Sequence, residues 1–246
     1  MYYEVHGEGG HPVILIHGGG STIESNWSRV LPLLAAHRKV IAVELQAHGR
    51  TADVDRPETF EQDADDVAVL VRQLHLTSID LFGFSNGGHT AMQIAIRHPA
   101  IVRRLVVASA SYKREGMIDG FFEMMERASL DTMPAPLKEA FLAVNPDPRA
   151  LQTMHDKDAA RMREFRDWSD DALRSIEAPA LIINADRDVI KTDHAVAMSR
   201  LIPNARLLIV PGTHGSYLGE ACTIVPGSQM PEMVVKVVEE FLEGTR

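Results

Sequence analysis

Ser85 lies between Gly83 and Gly87 in a stretch that matches the pattern G-x-S-x-G. The apolar run 79–82 precedes it, and a helical pattern starts at Asn86. A chain that turns directly from a strand into a helix pivots on one strained residue, and flanking glycines remove side chains that would collide there. The turn lifts the hydroxyl to a helix N-terminus, which favours negative charge. We therefore predict that Ser85 is a nucleophile; the simpler alternative is a plain turn in which Ser85 caps the helix.

A serine hydroxyl is a weak nucleophile and needs a neighbouring base. Of the 11 histidines, His214 is the best placed, because it lies in the loop 211–215 directly after a predicted strand. Loops that leave the carboxyl ends of parallel strands converge where ligands bind, and Ser85 leaves its strand at the same edge. His17 also ends a strand, but we expect it to support a loop rather than to accept a proton.

The imidazole base needs an acid that orients it. Asp186 and Asp188 both follow the predicted strand 180–184, which we expect to neighbour the strand that leads to His214. We choose Asp188 because it is further out on the loop. Asp186 remains the alternative, and its other role would be to brace the turn.

A run of glycines offers backbone donors for an oxyanion. The residues His17, Gly18, Gly19 and Gly20 leave the predicted strand 13–17 at the same edge of the sheet. Glycine amides can approach a developing oxyanion closely, and such donors stabilise the transition state of acyl transfer. We predict that the backbone N–H groups of Gly19 and Asn86 form the oxyanion hole; by itself the glycine run would indicate only a flexible loop.

The elements that must position these residues alternate along the chain. Short runs that are apolar on both faces are typical of strands in a parallel sheet covered by helices. The predicted strands are 13–17, 40–45, 79–82, 104–108, 180–184 and 205–210, and the predicted helices are 59–74, 86–97, 193–201 and 231–242. This alternation predicts a doubly wound α/β fold with right-handed crossovers.

The helix 59–74 carries its own start signal and a run of acids. Thr59 followed by Gln62 predicts a capping box. The apolar residues recur at helical spacing and are expected to face the sheet. We interpret Asp63, Asp65 and Asp66 as a solvent-exposed face.

Residues 111–177 break the alternation, because they contain no convincing buried strand and several prolines. They hold six of the 11 methionines, a residue type used on adaptable apolar surfaces. We predict a helical cap at 111–177 over a core made of 1–110 and 178–246, with the methionines roofing a pocket. Ordinary packing of helices on the core would explain each methionine singly.

Composition excludes several classes of protein. The 246 residues are 45% hydrophobic and 24% charged, as expected for one sizeable globular α/β domain. The first residues hold no apolar stretch after a basic start, and no apolar run is long enough for a bilayer, so we expect no secretory signal and no membrane partner. The net charge of −9 without a basic cluster argues against nucleic acid. Cys222 is the single cysteine, which excludes an internal disulfide, fits a reducing cytoplasm and is expected to be unreactive.

These motifs together resemble the α/β-hydrolase superfamily of serine hydrolases. The matching stretches are HGGG at 17–20, GFSNG at 83–87, NADRD at 184–188 and PGTHG at 211–215. The resemblance implies the α/β-hydrolase fold, a mostly parallel sheet with a helical cap inserted after the sixth strand. Family members usually have another strand before the one that 2–6 resembles, which leaves open whether the first edge strand is lacking.

Departures from the family pattern narrow the reaction that the resemblance implies. Haloalkane dehalogenases and epoxide hydrolases of this fold carry Asp where this chain has Ser85. Carbon–carbon bond hydrolases often have Trp after the histidine, where Gly215 stands, and perhydrolases usually have Met at Asn86. The loop 46–51 also departs from the family pattern, so its role stays open.

What remains by resemblance is carboxylesterase-like hydrolysis of a small-molecule ester through an acyl-enzyme, with no metal and no organic cofactor. The alternatives are a carbon–carbon bond hydrolase, another acyl-transfer member of the fold, or a non-catalytic receptor for a small molecule. The natural substrate, the acyl-chain preference and the oligomeric state stay open.

Overall fold

The structure, a computed structural model, describes residues 1–244. Seven strands form one sheet in the order β1-β3-β2-β4-β5-β6-β7, in which β1 pairs antiparallel with β3 and every other pairing is parallel. The strands are β1 (Tyr2–His6), β2 (Val13–Ile16), β3 (Val40–Glu44), β4 (Ile79–Phe84), β5 (Val102–Ala108), β6 (Ala180–Arg187) and β7 (Ala205–Thr213). The predicted α/β-hydrolase fold is confirmed.

Ten α-helices accompany the sheet within these residues. They are α1 (Ile23–Trp27), α2 (Leu31–Ala35), α3 (Phe60–Gln73), α4 (Asn86–Arg97), α5 (Phe121–Glu126), α6 (Ala135–Val144), α7 (Pro148–Arg163), α8 (Asp170–Arg174), α9 (Thr192–Leu201) and α10 (Met230–Glu243). None of the helices in this part of the chain has both the length and the apolarity that crossing a bilayer requires.

Two apolar layers explain why the strands are hydrophobic on both faces. Ile14 and Ile16 point into a cluster that includes side chains of α3, α4 and α9. Val13 and Leu15 point to the other face, into a cluster with side chains of α1, α2 and α10. Because successive strand residues face opposite sides, a strand that is covered twice shows no polar alternation.

At one edge of the sheet, β1 pairs with β3, and no further strand lies beyond it within residues 1–244. The sheet therefore lacks the family's first edge strand in the part of the chain that the structure describes. By the family's count β5 is then the sixth strand, and the predicted cap follows it.

Residues 111–177, called the insert below, connect β5 to β6 and contain α5 to α8. Their one β-type pairing among the described residues is an isolated bridge between Met117 and Ile190. Two small apolar clusters join the insert to the core. One pairs Phe141 of the insert with Ala47 in the loop after β3, and the other pairs Phe165 with Phe60 at the start of α3. The division into core and cap stays a prediction that this arrangement suits.

Two details of α3 differ from expectation. Thr59 accepts a hydrogen bond from the Gln62 backbone N–H at 3.0 Å, but the Gln62 side chain donates to Asp66 at 3.1 Å instead of returning to Thr59. Only half of the predicted capping box forms. The prediction that Asp63 faces solvent is wrong, because its carboxylate is buried and accepts a hydrogen bond from Arg161 of the insert at 2.7 Å. The part of α3 around Asp63, which we expected to be exposed to solvent, is covered here by helix α7 of the insert.

Candidate active site

Ser85 occupies the strained pivot between β4 and α4. Its backbone has φ 54° and ψ −121°, a region that side-chain-bearing residues rarely adopt. A Cβ atom at Gly83 would lie 2.1 Å from the Gly87 carbonyl oxygen, and one at Gly87 would lie 2.1 Å from the Ile16 carbonyl oxygen. The glycines are therefore required by backbone contact. Ser85 makes no side-chain capping bond to α4, unlike the simpler alternative.

Three side chains that are distant in sequence form a continuous chain of hydrogen bonds. The Ser85 hydroxyl lies 3.0 Å from Nε2 of His214, and Nδ1 of His214 lies 2.7 Å from Oδ1 of Asp188. The residues come from the ends of β4, β7 and β6, which meet at the carboxyl edge of the sheet. With Nδ1–H donating to Asp188, Nε2 is free to accept a proton from Ser85.

Asp188 is buried and is held by further donors. The Ser109 hydroxyl donates to Oδ2, and the Ala185 backbone N–H donates to the same oxygen at 3.3 Å. Burial opposes ionisation, but the hydrogen bonds from His214 and Ser109 hold the pKa of Asp188 below its usual range. Asp186 is exposed and instead accepts a hydrogen bond from the Gly212 backbone N–H at 2.8 Å, which braces the loop before His214.

Ser109 is a member of this site that the sequence analysis missed. It follows β5 directly, has a positive φ of 51°, and its hydroxyl lies 2.6 Å from the Tyr217 hydroxyl oxygen. Its only signal in the sequence is its place at the carboxyl end of a buried strand, where polar residues of parallel sheets gather. Many serines follow strands without such a role, so this signal is weak.

The backbone N–H groups of Gly19 and Asn86 have no hydrogen-bond acceptor within residues 1–244. Both residues line the cavity that contains Ser85 and His214. The glycine loop is fixed from behind, because the Gly18 N–H donates to Oδ1 of Asn26 at 2.7 Å. The two residues with free backbone donors thus line the same cavity as Ser85, as an oxyanion hole needs.

His17 supports this loop and is not exposed to substrate. Its Nδ1–H donates to the Gly18 carbonyl oxygen at 2.7 Å, and its Nε2 accepts from the Leu45 N–H at 3.1 Å. Burial lowers the pKa of His17 to about 3, so the ring is neutral. Gly20 adopts φ 67°, a left-handed conformation that glycine tolerates.

Comparison with known proteins agrees with this geometry. Residues 13–222 match the family model described as the alpha/beta hydrolase family. The chain belongs to this family. It is 30% identical over 236 residues to the 2-hydroxy-6-oxo-2,4-heptadienoate hydrolase of Pseudomonas putida, and the match covers 80% of each chain.

Two further matches place this alpha/beta hydrolase among its relatives. It is 26% identical over 234 residues to a dihydrolipoyllysine-residue acetyltransferase component of an acetoin cleaving system from Pseudomonas putida. That match covers 85% of this chain but only 60% of the relative's length. A solved structure of a thermophilic esterase from Thermogutta terrifontis superposes with a TM-score of 0.73 at 24% identity, covering 98% of this chain and 92% of that one. The structural match shows the shared fold.

The cavity of this family member has a volume of about 410 Å³. All six methionines of the insert line it together with Ser85, Asn86 and His214; they are Met117, Met124, Met125, Met133, Met154 and Met162. No lysine or arginine is among the described residues that line it, and its one carboxylate is that of Asp158. The cavity thus presents a largely apolar wall to the triad.

Two further features of the sequence lie outside this cavity. Gln46 of the loop 46–51 donates to Asp53 at 3.0 Å and accepts from Arg56 at 2.7 Å, so it ties that loop to the next one. Cys222 is an exposed residue but an unfavourable thiolate, because partial desolvation of its sulfur and the neighbouring Glu220 raise its pKa to about 12.

Proposed function

We propose that this protein is a serine hydrolase that cleaves a small carboxylic ester through an acyl-enzyme intermediate. The observation that carries the proposal is the unbroken hydrogen-bond chain from the Ser85 hydroxyl through His214 to Asp188. A surface serine does not need a strained backbone, an imidazole and a buried carboxylate in line. Nucleophilic attack on an acyl group needs all three.

In the first half of the reaction, Nε2 of His214 accepts the Ser85 proton as Oγ attacks the ester carbonyl carbon. Asp188 stabilises the imidazolium that forms, and the N–H groups of Gly19 and Asn86 bind the oxyanion. When the tetrahedral intermediate collapses, His214 gives its proton to the leaving alcohol oxygen. A water molecule then repeats the sequence on the acyl-enzyme, which releases the acid and restores Ser85.

The cavity supports an uncharged, apolar substrate of modest size. Its methionine side chains can adapt to an alkyl chain, and its volume is at the lower end of the range for small-molecule pockets. A substrate carboxylate would find no lysine or arginine on the lining described here, and would meet Asp158 instead. We infer a neutral acyl or alcohol group with an apolar chain.

The second function that an observation favours is hydrolysis of a dienoate, the substrate class named for the 30% identical relative. Carbon–carbon bond hydrolysis in this fold would use the same triad. The lack of a cation on the described lining argues against it, because a dienoate carries a carboxylate. Turnover of a dienoate at a higher kcat/KM than any neutral ester would make this second function the correct one.

The test is a panel of p-nitrophenyl esters of increasing acyl length, assayed beside stoichiometric labelling by a fluorophosphonate. We expect turnover and labelling in the wild type, and loss of both in Ser85→Ala. Ser78→Ala, at a partly buried position outside the cavity, is the matched control and should behave as wild type. Near-normal turnover by Ser85→Ala would contradict the proposal. Labelling without turnover of any ester would favour the non-catalytic receptor or an enzyme with another reaction.

A further inference from the structure

Behind one wall of the cavity, helix α7 of the insert contacts the core through buried charged groups. Arg161 and Asp158 belong to α7, whereas Asp63 belongs to α3 and Glu58 to the loop before it. Arg161 has only 5% of its surface exposed. A buried charge is tolerated only when partner groups compensate for the loss of solvation by water. The partners of Arg161 therefore have to be identified within the protein.

Arg161 is fixed from both sides. Its Nη1 donates to Asp63 at 2.7 Å, its Nη2 donates to Asp158, and its guanidinium lies over the Phe60 ring at 4.9 Å from the ring centre. One partner is on the core and the other is on its own helix, three residues away. A planar guanidinium held at two edges and one face has little freedom. Arg161 therefore fixes where the Asp158 carboxylate lies relative to the core.

Asp158 contacts both residues that carry the free oxyanion donors. Its Oδ1 accepts a hydrogen bond from the side-chain Nδ2 of Asn86 at 2.9 Å. Its Oδ2 fills the space above Gly19, where an added Cβ atom would lie 2.4 Å from it. The next amide of the loop is held by the core, because the Gly20 N–H donates to Nε2 of His48 at 3.3 Å.

A carboxylate beside a developing oxyanion would by itself oppose the reaction through charge repulsion. Arg161 offsets that charge at contact distance. Burial alone would raise the pKa of Asp158, but the Arg161 charge holds it well below its usual range. Asp158 is thus an acceptor in direct contact with a cation, which suits it to hold an amide in place.

We propose that Asp158 is a positioning residue through which the insert fixes the oxyanion hole, with Arg161 as its support. It holds the Asn86 side chain and closes the space over Gly19, so that both backbone N–H groups converge on one point. This inference rests on the proposed serine-hydrolase function. It assigns to the insert a part in catalysis besides that of enclosing substrate.

The test compares Asp158→Ala, Asp158→Asn, Asn86→Ala and the double variant Asp158→Ala/Asn86→Ala. We expect Asp158→Ala to lower kcat by about tenfold or more while KM changes little, since misplacing a transition-state donor acts on the chemical step. Asp158→Asn, which retains an acceptor for Asn86, should recover most of the loss. Asn86→Ala keeps its backbone N–H and should match Asp158→Ala, and the double variant should fall no further.

Asp131→Asn removes an exposed insert carboxylate and is the matched control. The second readout is the rate of fluorophosphonate labelling, which depends on the oxyanion hole without needing ester turnover. It should fall in parallel with kcat. If Asp158→Ala does not fold, Asn86→Ala and Asp158→Asn decide the question, and wild-type kcat in Asn86→Ala would overturn the inference.

Three results would overturn it in the folded variants. These are an unchanged kcat in Asp158→Ala, a raised KM as its sole defect, or losses that multiply in the double variant. A wild type that turns over esters and is labelled, with Asp158→Ala unaffected, contradicts this inference alone. A wild type that is neither labelled nor active overturns the proposed function and this inference with it.

Discussion

Two sets of polar side chains reach the same cavity, the first through Ser85 and His214 and the second through Asp158, and they differ in what their charges do. In the set formed by Ser85, His214 and Asp188, the proposed reaction moves a proton, and an imidazole lies between a hydroxyl and a carboxylate. In the set around Arg161, the charges are fixed by contact and burial. We infer that the first set is arranged for transfer of a proton, whereas the second set is arranged to hold side chains in place.

The two sets also differ in where their parts come from. The first is built entirely at the ends of core strands, whereas the second joins a helix of the insert to a helix of the core. Removal of a member of the first set should therefore stop chemistry with little effect on folding. Removal of Arg161, the centre of the second set, should lower the stability of the fold more than it lowers activity.

The largest expected effect separates the two aspartates after β6. Asp188→Asn should lower kcat/KM by about 10³- to 10⁴-fold, because an amide cannot keep His214 in the productive tautomer. Asp186→Asn, two residues away and exposed, is the matched control and should lose little activity. Steady-state kinetics on one ester measures both. Equal losses in the two variants would show that the acid is wrongly assigned.

Next in size is a loss of stability at the second set. Arg161→Met should lower the free energy of unfolding by about 3–5 kcal/mol, because it leaves buried carboxylates without their cation. Urea unfolding followed by circular dichroism measures it. Arg149→Met, on the exposed surface of the same helix, should leave the urea midpoint unchanged. A stable Arg161→Met protein with wild-type kcat would show that the cluster neither supports the fold nor positions the site.

The next effect concerns acid, and it is smaller for each ring than the effect of Arg161→Met. Burial lowers the pKa of His17 and His89 to about 3 and that of His194 to about 4, against 6.5 for a free histidine. Below pH 6.5 the unfolded chain binds more protons at these rings than the folded protein does. The free energy of unfolding therefore decreases as the pH is lowered, by at most about 1.4 kcal/mol per pH unit for each ring. Unfolding midpoints at pH 7, 6 and 5 test this, and equal midpoints would contradict it.

The second set should oppose that acid effect. Burial raises the pKa of Glu58 to about 7 and that of Asp63 to about 6. Between about pH 4.5 and these values the folded protein binds more protons at these carboxyls, so stability rises as pH falls. Glu58→Gln removes one such contribution and should make the loss of stability between pH 7 and 5 steeper than in the wild type. A shallower loss of stability in Glu58→Gln would contradict a raised pKa for Glu58.

The smallest effect concerns the size of the substrate. Met125→Ala removes a half-buried side chain from the cavity wall, and should shift the preferred acyl chain to a longer one with a change of a few fold in kcat/KM. Met233→Ala, exposed on α10 and outside the cavity, is the control. The ester panel measures both variants. An unchanged preference for acyl-chain length in Met125→Ala would show that the acyl chain does not contact Met125.

Much of the first set could be predicted because its signals are local. The turn around Ser85 needs glycines at two fixed neighbours, and residues that follow parallel strands gather at one edge of the sheet. Asp188 could be preferred to Asp186 but not separated from it, because both lie on one loop. Ser109 was missed because a serine after a strand is common.

The second set could not be predicted in the same way. Helical periodicity predicted that Asp63 lies on the side of α3 away from the sheet, and from that we expected exposure to solvent, which is wrong. Periodicity describes one helix and the layer it covers, and does not say whether another helix covers its outer face. Here Arg161 of α7, which lies 98 residues further along the chain, covers Asp63.

The sequence alone determined the alternation of strands and helices, the strained serine turn and the residue types available at the carboxyl edge, because each depends on contacts between near neighbours. Only the tertiary structure decided which carboxylate meets His214, that Ser109 supports it, and that an arginine of the insert reaches Asp63 and Asp158. Those choices depend on how loops and helices pack across the sheet, where a few ångströms separate a hydrogen bond from no contact at all.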